Sequence, residues 1–166
     1  MARPKKHNNE VVLEPQFTSW LDERGYNWVQ DDCIDHDFII AGKTAEVKFR
    51  GSDYPDVLVE LFNCADPIGC KDCQRAGNTQ PLLGWGHRES YSKADLLVYV
   101  HMNNDDEMSR IVVLYKKDFI KWLWDVHLAS SYRHKMITAF YGMHRTLCVA
   151  VPIHLIPEEL YKEYVI

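Results

Sequence analysis

The stretch IDHDFIIAGKTAEVKFRG, residues 34–51, constrains the fold most. Two short strand-like runs, DFII and AEVKFR, flank a glycine-containing turn, the pattern of a β-hairpin. With Gly42 as the first central residue of a two-residue turn, the predicted pairs are 41 with 44, 40 with 45, 39 with 46, 38 with 47 and 37 with 48. Side chains alternate faces along a strand. Phe38, Ile40, Ala45, Val47 and Phe49 then share an apolar face, while Asp37, Glu46 and Lys48 share the other, which is expected to be wet. Asp37 is predicted directly across from Lys48 with Glu46 diagonal, at Cβ separations of about 5–8 Å. A one-residue slip would mix the two sets, so the faces are well specified.

Two carboxylates at that separation repel unless something positive lies between them. Oxygen-only ligands with open positions suit a hard cation, Mg²⁺ or Mn²⁺. Such an ion polarises a phosphoryl oxygen and acidifies a bound water. Lys48 could orient that water or offset charge in the transition state. The competing reading is a solvated strand face with a cross-strand Asp–Lys pair worth less than about 1 kcal/mol. Spacing alone leaves both open.

Around the hairpin, the pattern predicts a mixed α/β (α+β) chain. A basic arm over residues 1–9 reads as disordered. A first helix is expected to begin at Pro15, with Phe17, Trp20 and Leu21 on one face and Gly25 as its stop. YNWVQ (26–30) reads as a short strand, and DVLVELF (56–62) and ADLLVYVHM (94–102) as further strands, the last a buried central one. RIVVLY (110–115) returns as the hairpin partner of 94–102. Asp118 is predicted to cap a helix that continues to about residue 141. TLCVAVP (146–152) reads as a last strand and PEELYKEY as a terminal helix. Residues 10–166 are thus expected to form one domain.

With 46% hydrophobic residues, the 166-residue chain can build a core. No apolar run reaches the roughly 18–20 residues that span a bilayer, and the polar N-terminus has no signal-peptide character. The expectation is a cytoplasmic protein with no membrane partner. The net charge of −5 argues against a broad basic surface. Yet residues 116–145 carry six Lys or Arg against two Asp, a local +4. Lys116, Lys117, Lys121, Arg133 and Lys135 are candidate phosphate contacts, or else a solvated helix face.

Residues 63–93 lose all periodicity and hold four glycines, two prolines and three cysteines. A loop this long needs something other than a core to order it. Cys64, Cys70 and Cys73, with His87 beyond, offer four nitrogen and sulfur ligands for a structural Zn²⁺. A cysteine-bound iron–sulfur cluster and three unligated thiols are the alternatives. Cys33 and Cys148 read as core thiols.

Asp37, eight intervening residues and then EVK resembles the signature of the PD-(D/E)XK nuclease superfamily, which includes restriction endonucleases and Holliday-junction resolvases. The resemblance spans about residues 10–125. It implies a restriction-endonuclease-like core in which a helix precedes a mixed central sheet flanked by helices, with the motif on a hairpin of that sheet. It further implies metal ligation by Asp37 and Glu46, a catalytic role for Lys48, and an additional carboxylate from the first helix, for which Glu14 is the candidate. Glu60 is a second candidate acid. The implied activity is divalent-metal-dependent hydrolysis of phosphodiester bonds, in DNA before RNA, and related enzymes that cut both strands are often homodimers. His36 stands where the signature has proline, and no crossover helix is evident in 63–93. The rival expectation is a non-catalytic, zinc-stabilised module that binds nucleic acid or protein on the same scaffold.

Overall fold

The computed structural model describes residues 8–31, 33, 36–89, 93–129, 135–141 and 144–166. In chain order they form α1 (Asn8–Glu23), β1 (Trp28–Gln30), β2 (Phe38–Ile40), β3 (Lys43–Arg50), β4 (Asp56–Cys64), α2 (Lys71–Arg75), β5 (Leu82–Leu83), β6 (Leu96–Met102), β7 (Met108–Tyr115), α3 (Lys116–Trp122), β8 (Lys135–Tyr141), β9 (His144–Pro152) and β10 (Tyr161–Val165). The class is mixed α+β. The chain divides into two compact units. The first comprises the chain up to Tyr54, Lys93–Lys116 and Pro157–Ile166; the second comprises Pro55–Ser92 and Lys117–Ile156.

The first unit holds a six-stranded sheet in the order β1-β2-β3-β6-β7-β10. β3 and β6 run parallel, from Ala45 opposite Leu96 to Arg50 opposite His101, and the other neighbours are antiparallel. All seven residues of β6 are buried, as its unbroken apolar run predicts. Helix α1 lays Leu13, Phe17, Trp20 and Leu21, spaced for one helical face, onto Phe38, Ala45, Val47, Val98 and Val100. Phe17 meets Phe38 and Phe49 edge-on at 5.9 and 6.2 Å. Gln16 secures the far end of β6 and β7. Its amide donates to the Asp106 carbonyl at 2.9 Å and accepts from the Met108 N–H at 2.7 Å.

The helix departs from expectation at its start. It begins at Asn8, inside the arm expected to be disordered, and Pro15 lies in its interior; residues 1–7 lie outside the described ones. Proline removes the donor that would bond the Val11 carbonyl, but Val11 is exposed, so water can serve that group. The stop at Gly25 is as predicted. At a φ of 71° it lets its own N–H reach the Asp22 carbonyl and that of Tyr26 reach Leu21, capping the last turn.

The second unit holds a four-stranded antiparallel sheet, β5-β4-β9-β8, with Val57, Val59, Leu61, Val149 and Val151 buried. Two predicted helices are strands. Residues 135–141 pair along β9, from Lys135 opposite Ala150 to Tyr141 opposite His144. Their β-branched and aromatic side chains suit a pleated surface, and the helix ends much earlier, as α3 and a π-helical turn at Leu123–His127. Asp118 lies within the first turn of α3 rather than ahead of it. In the first unit, the terminal PEELYKEY makes only a short 3-10 turn at Glu158–Leu160 before β10 joins the edge of β7. There Tyr164 packs against Trp20 at 5.1 Å. An open sheet edge and an aromatic contact outweigh local helix propensity. No helix among the described residues is long and apolar enough to cross a membrane.

The sheet face opposite α1 is buried as well where β6 and β7 run. Leu97, Tyr99, His101, Val112 and Leu114 are all buried there. In register, Arg50, His101 and Arg110 form a row across β3, β6 and β7. Neither ring nitrogen of His101 has a hydrogen-bond partner among the described residues; the Ser52 backbone approaches without reaching bonding geometry. Burial, and then the Arg50 charge, push its pKa down to about 4. Because the folded pKa lies below the unfolded one, falling pH protonates the unfolded chain first. Stability should be undiminished above the unfolded value of 6.5 and decline as pH falls towards about 4. The loss from this group should be on the order of 3 kcal/mol. Urea titrations across that range should show the decline in wild type and a flatter profile in His101→Leu.

Candidate metal and phosphate site

The β2–β3 hairpin turns at Ala41–Gly42, one residue earlier than predicted, with φ of 49° and 78°. Two left-handed central residues make a type I′ turn, whose twist suits a hairpin. The pairs become Phe38 with Ala45, Ile39 with Thr44 and Ile40 with Lys43. This register is displaced by two residues from the expected one. Two is also the side-chain period, so the separation of faces survives: Phe38, Ile40, Ala45 and Val47 are buried together, and Glu46 and Lys48 point the other way.

Asp37 is not across from Lys48. Pairing of β2 with β3 ends at Phe38, and Asp37 continues it with its own atoms. Its N–H donates to the Ala45 carbonyl at 3.0 Å, and its Oδ2 accepts from the Val47 N–H at 2.9 Å. The carboxylate therefore lies against the peptide that joins Glu46 to Val47.

Glu46 sits between two lysines. Its Oε1 is 2.7 Å from Lys48 Nζ, and its Oε2 is 4.0 Å from Lys116 Nζ. The side chains of Glu46 and Lys116 are only 12% and 6% exposed, whereas that of Lys48 is 37% exposed. Asp95 sets up this meeting. Its carboxylate accepts from the N–H and hydroxyl of Thr44 at 3.0 and 3.1 Å, and its carbonyl accepts from the Lys116 N–H at 3.1 Å. The start of β3 and the start of α3 are thus tied to one residue. Lys116, expected as a surface phosphate contact, is buried against Glu46. Nothing in the local sequence pattern signals a contact across 70 positions.

The other candidates fall elsewhere. Glu14, on α1, accepts from Gln30 Nε2 at 3.4 Å. Glu60 lies on β4, opposite Cys148, in the second unit. Lys117 is exposed, and Lys121 pairs with Asp125 at 2.8 Å on the surface. That bond raises the lysine pKa and lowers that of the aspartate. Lys135 is in β8, and Arg133 lies outside the described residues. The basic residues of 116–145 therefore do not share one helix face.

In the second unit, Cys64, Cys70 and Cys73 converge. Their Sγ atoms lie within 4.8 Å of one another, and all three residues are buried. Cys64 ends β4, Cys70 precedes α2, and the Cys73 N–H points at Cys70 Sγ at 3.5 Å. Partly buried Leu82 packs against this small cluster, too little apolar surface to hold the loop. Tetrahedral zinc–thiolate geometry separates sulfurs by about 3.8 Å, so the trio can hold a metal ion such as zinc. Without one, burial pushes the Cys73 thiol up to about 12, helped by bonds from Cys64 and Cys70. His87 does not join the trio. It packs between Phe62 and Trp124 at 5.3 and 5.0 Å, and its Nδ1 accepts from the Glu89 N–H at 3.1 Å.

A further grouping was not anticipated. Asp31, Cys33 and His36 bring a carboxylate oxygen, a sulfur and a ring nitrogen within 4.8 Å of one another. Bonds from Cys33 and then His36 hold the Asp31 carboxyl below its ordinary range. Cys33, expected as a core thiol, is exposed. Among the described residues neither grouping includes Asp37, Glu46, Glu14 or Glu60. Comparison of the chain with family models, curated proteins and solved structures found no match.

Two outcomes follow. Glu46→Ala leaves buried Lys116 without this carboxylate and should cost about 2 kcal/mol in urea unfolding, with Glu46→Gln costing less. Cys70→Ser should weaken zinc binding by at least about 100-fold and open residues 65–81 to protease, while Cys148→Ser on β9 should do neither.

Proposed function

We propose that the chain hydrolyses phosphodiester bonds with the aid of a divalent cation, acting on DNA in preference to RNA. The observation that carries this reading is the convergence at the β2–β3 hairpin: the Asp37 carboxylate against the Glu46–Val47 peptide, with Lys48 bonded to Glu46. A helix ahead of a mixed sheet, with these residues on a hairpin of that sheet, is the setting the nuclease resemblance implies. The donors fit Mg²⁺ or Mn²⁺, which bind through one or two carboxylates and keep several waters. Such an ion supplies polarisation of a phosphoryl oxygen and a more acidic water. Asp37 and Glu46 would hold it. Lys48, the most exposed of the three lysine and glutamate side chains in the cluster, can swing its amine from Glu46 towards a phosphate oxygen and offset developing charge. Lys116 is too buried to meet substrate and positions Glu46. A cytoplasmic setting accompanies this activity, and a homodimer would present one site to each strand.

One observation favours the rival, a metal-stabilised binding module. Glu46 already has Lys48 at 2.7 Å and Lys116 at 4.0 Å, and the Asp37 carboxylate accepts from the Val47 N–H, so these acids have partners with no cation at all. A panel of single-stranded, duplex and branched DNA, with Mg²⁺ or Mn²⁺, separates the two. The enzyme reading expects cleavage that Lys48→Ala lowers by about 100-fold or more while DNA binding persists. Salt-sensitive binding without product from any substrate, unchanged in Glu46→Gln, would leave the binding module as the function.

A further inference from the structure

The hairpin formed by β1 and β2 carries chemistry of its own at its tip. The strands pair from Trp28 opposite Ile40 to Gln30 opposite Phe38, and the Asp31 N–H extends the pairing to the Asp37 carbonyl at 2.9 Å. Immediately beyond, the Cys33 N–H folds back onto the Asp31 carbonyl at 2.8 Å. Cys33 Sγ then donates to Asp31 Oδ1 at 3.3 Å, and His36 Nε2 meets Oδ2 of the same carboxylate at 3.2 Å.

We propose that Asp31, Cys33 and His36 form a binding site for Zn²⁺ or a similar borderline divalent ion, which ties the β1–β2 hairpin closed next to Asp37. The donor set decides the class of ion. One thiolate, one imidazole and one carboxylate are zinc ligands at about 2.0–2.3 Å, whereas Mg²⁺ and Ca²⁺ take oxygen alone. The three ligand atoms already lie within 4.8 Å of one another, close to the spacing around one tetrahedral ion. A water can take the remaining position. On binding, the Cys33 thiol gives up its proton to solvent, and His36 coordinates through Nε2 as the neutral base. Exposure is the second observation. Of the five cysteines Cys33 alone is exposed, while the other four are buried. A surface thiol held by an aspartate beside a histidine is accessible to an incoming ion. The inference is independent of the hydrolysis reading, since it uses neither Glu46 nor Lys48.

The test uses the full chain stripped of metal by a chelator, with iodoacetamide labelling of Cys33 followed by peptide mass mapping. Zn²⁺ in excess over the protein should slow Cys33 labelling, and Mg²⁺ should not. His36→Gln should raise the Zn²⁺ concentration needed for half protection by about tenfold or more. Asp31→Asn makes the same test should His36→Gln fail to fold, as circular dichroism would reveal. Cys33→Ser should bind about one fewer equivalent of Zn²⁺ per chain while keeping that of the Cys64 cluster. Labelling at the same rate with and without Zn²⁺, or protection undiminished in the folded variant, would overturn the proposal, whatever the cleavage panel returns.

Discussion

The parallel pairing of β3 with β6 is the constraint on which the rest of the first unit depends. Antiparallel neighbours can be joined by a two-residue turn, but parallel ones cannot. The chain must leave the sheet after Arg50 and re-enter at Leu96, and it spends the interval on β4, α2 and β5. The pairing is held at its start by Asp95, which binds the Thr44 N–H and hydroxyl through its carboxylate. Along it, a buried β6 gives β3 an apolar neighbour on both faces. Glu46, opposite Leu97, is thereby drawn to a position where a carboxylate is mostly removed from water.

That placement decides the electrostatics. A largely desolvated carboxylate is costly unless paired. Lys48 supplies a short contact but remains partly in solvent, so its pair with Glu46 is worth little on its own. Lys116 is the more consequential partner despite its 4.0 Å separation, because its ammonium is itself buried. Removing one member of a buried pair strands the other, and the cost of that exceeds the attraction lost. Glu46 is therefore part of how the first unit stays folded as well as a candidate ligand. A loss of activity on changing it has to be judged against stability, whereas Lys48, partly solvated, can be changed with less consequence for the fold.

What the sequence disclosed follows the range of each interaction. The β2–β3 hairpin, the stop at Gly25 and the buried run of β6 are written in adjacent residues, and they were legible. Even the misjudged turn did little harm, because a displacement of two residues returns every side chain to its own face. The errors lie where a distant partner decides. Residues 135–141 are a strand because β9 is there to pair with them, and 161–165 because β7 offers an edge. Lys116 looked like a surface cation because its carboxylate is 70 positions away. Cys64, Cys70 and Cys73 were readable as a ligand set because nothing else in that loop could order it. His87, grouped with them by spacing, has an aromatic niche between Phe62 and Trp124 instead. The DDCIDHD run carried its own signal, several ligand types within a few residues.

The ligand sets also differ in kind, and the difference has a chemical consequence. The Cys64 cluster is all sulfur, the Asp31 group mixes sulfur, nitrogen and oxygen, and Asp37 with Glu46 offer oxygen alone. Divalent ions of the later first-row metals bind nitrogen and sulfur far better than carboxylate, and their affinities exceed those of Mg²⁺ and Mn²⁺ at almost any site. A chain that offered only carboxylates would lose them to whichever strong binder was present. Under the proposed hydrolysis, the oxygen pair at the hairpin is the set that would suit a hard, rapidly exchanging cation, the kind that phosphoryl chemistry uses. Donor type alone would then assign a different class of ion to the oxygen pair than to the sulfur-containing groups.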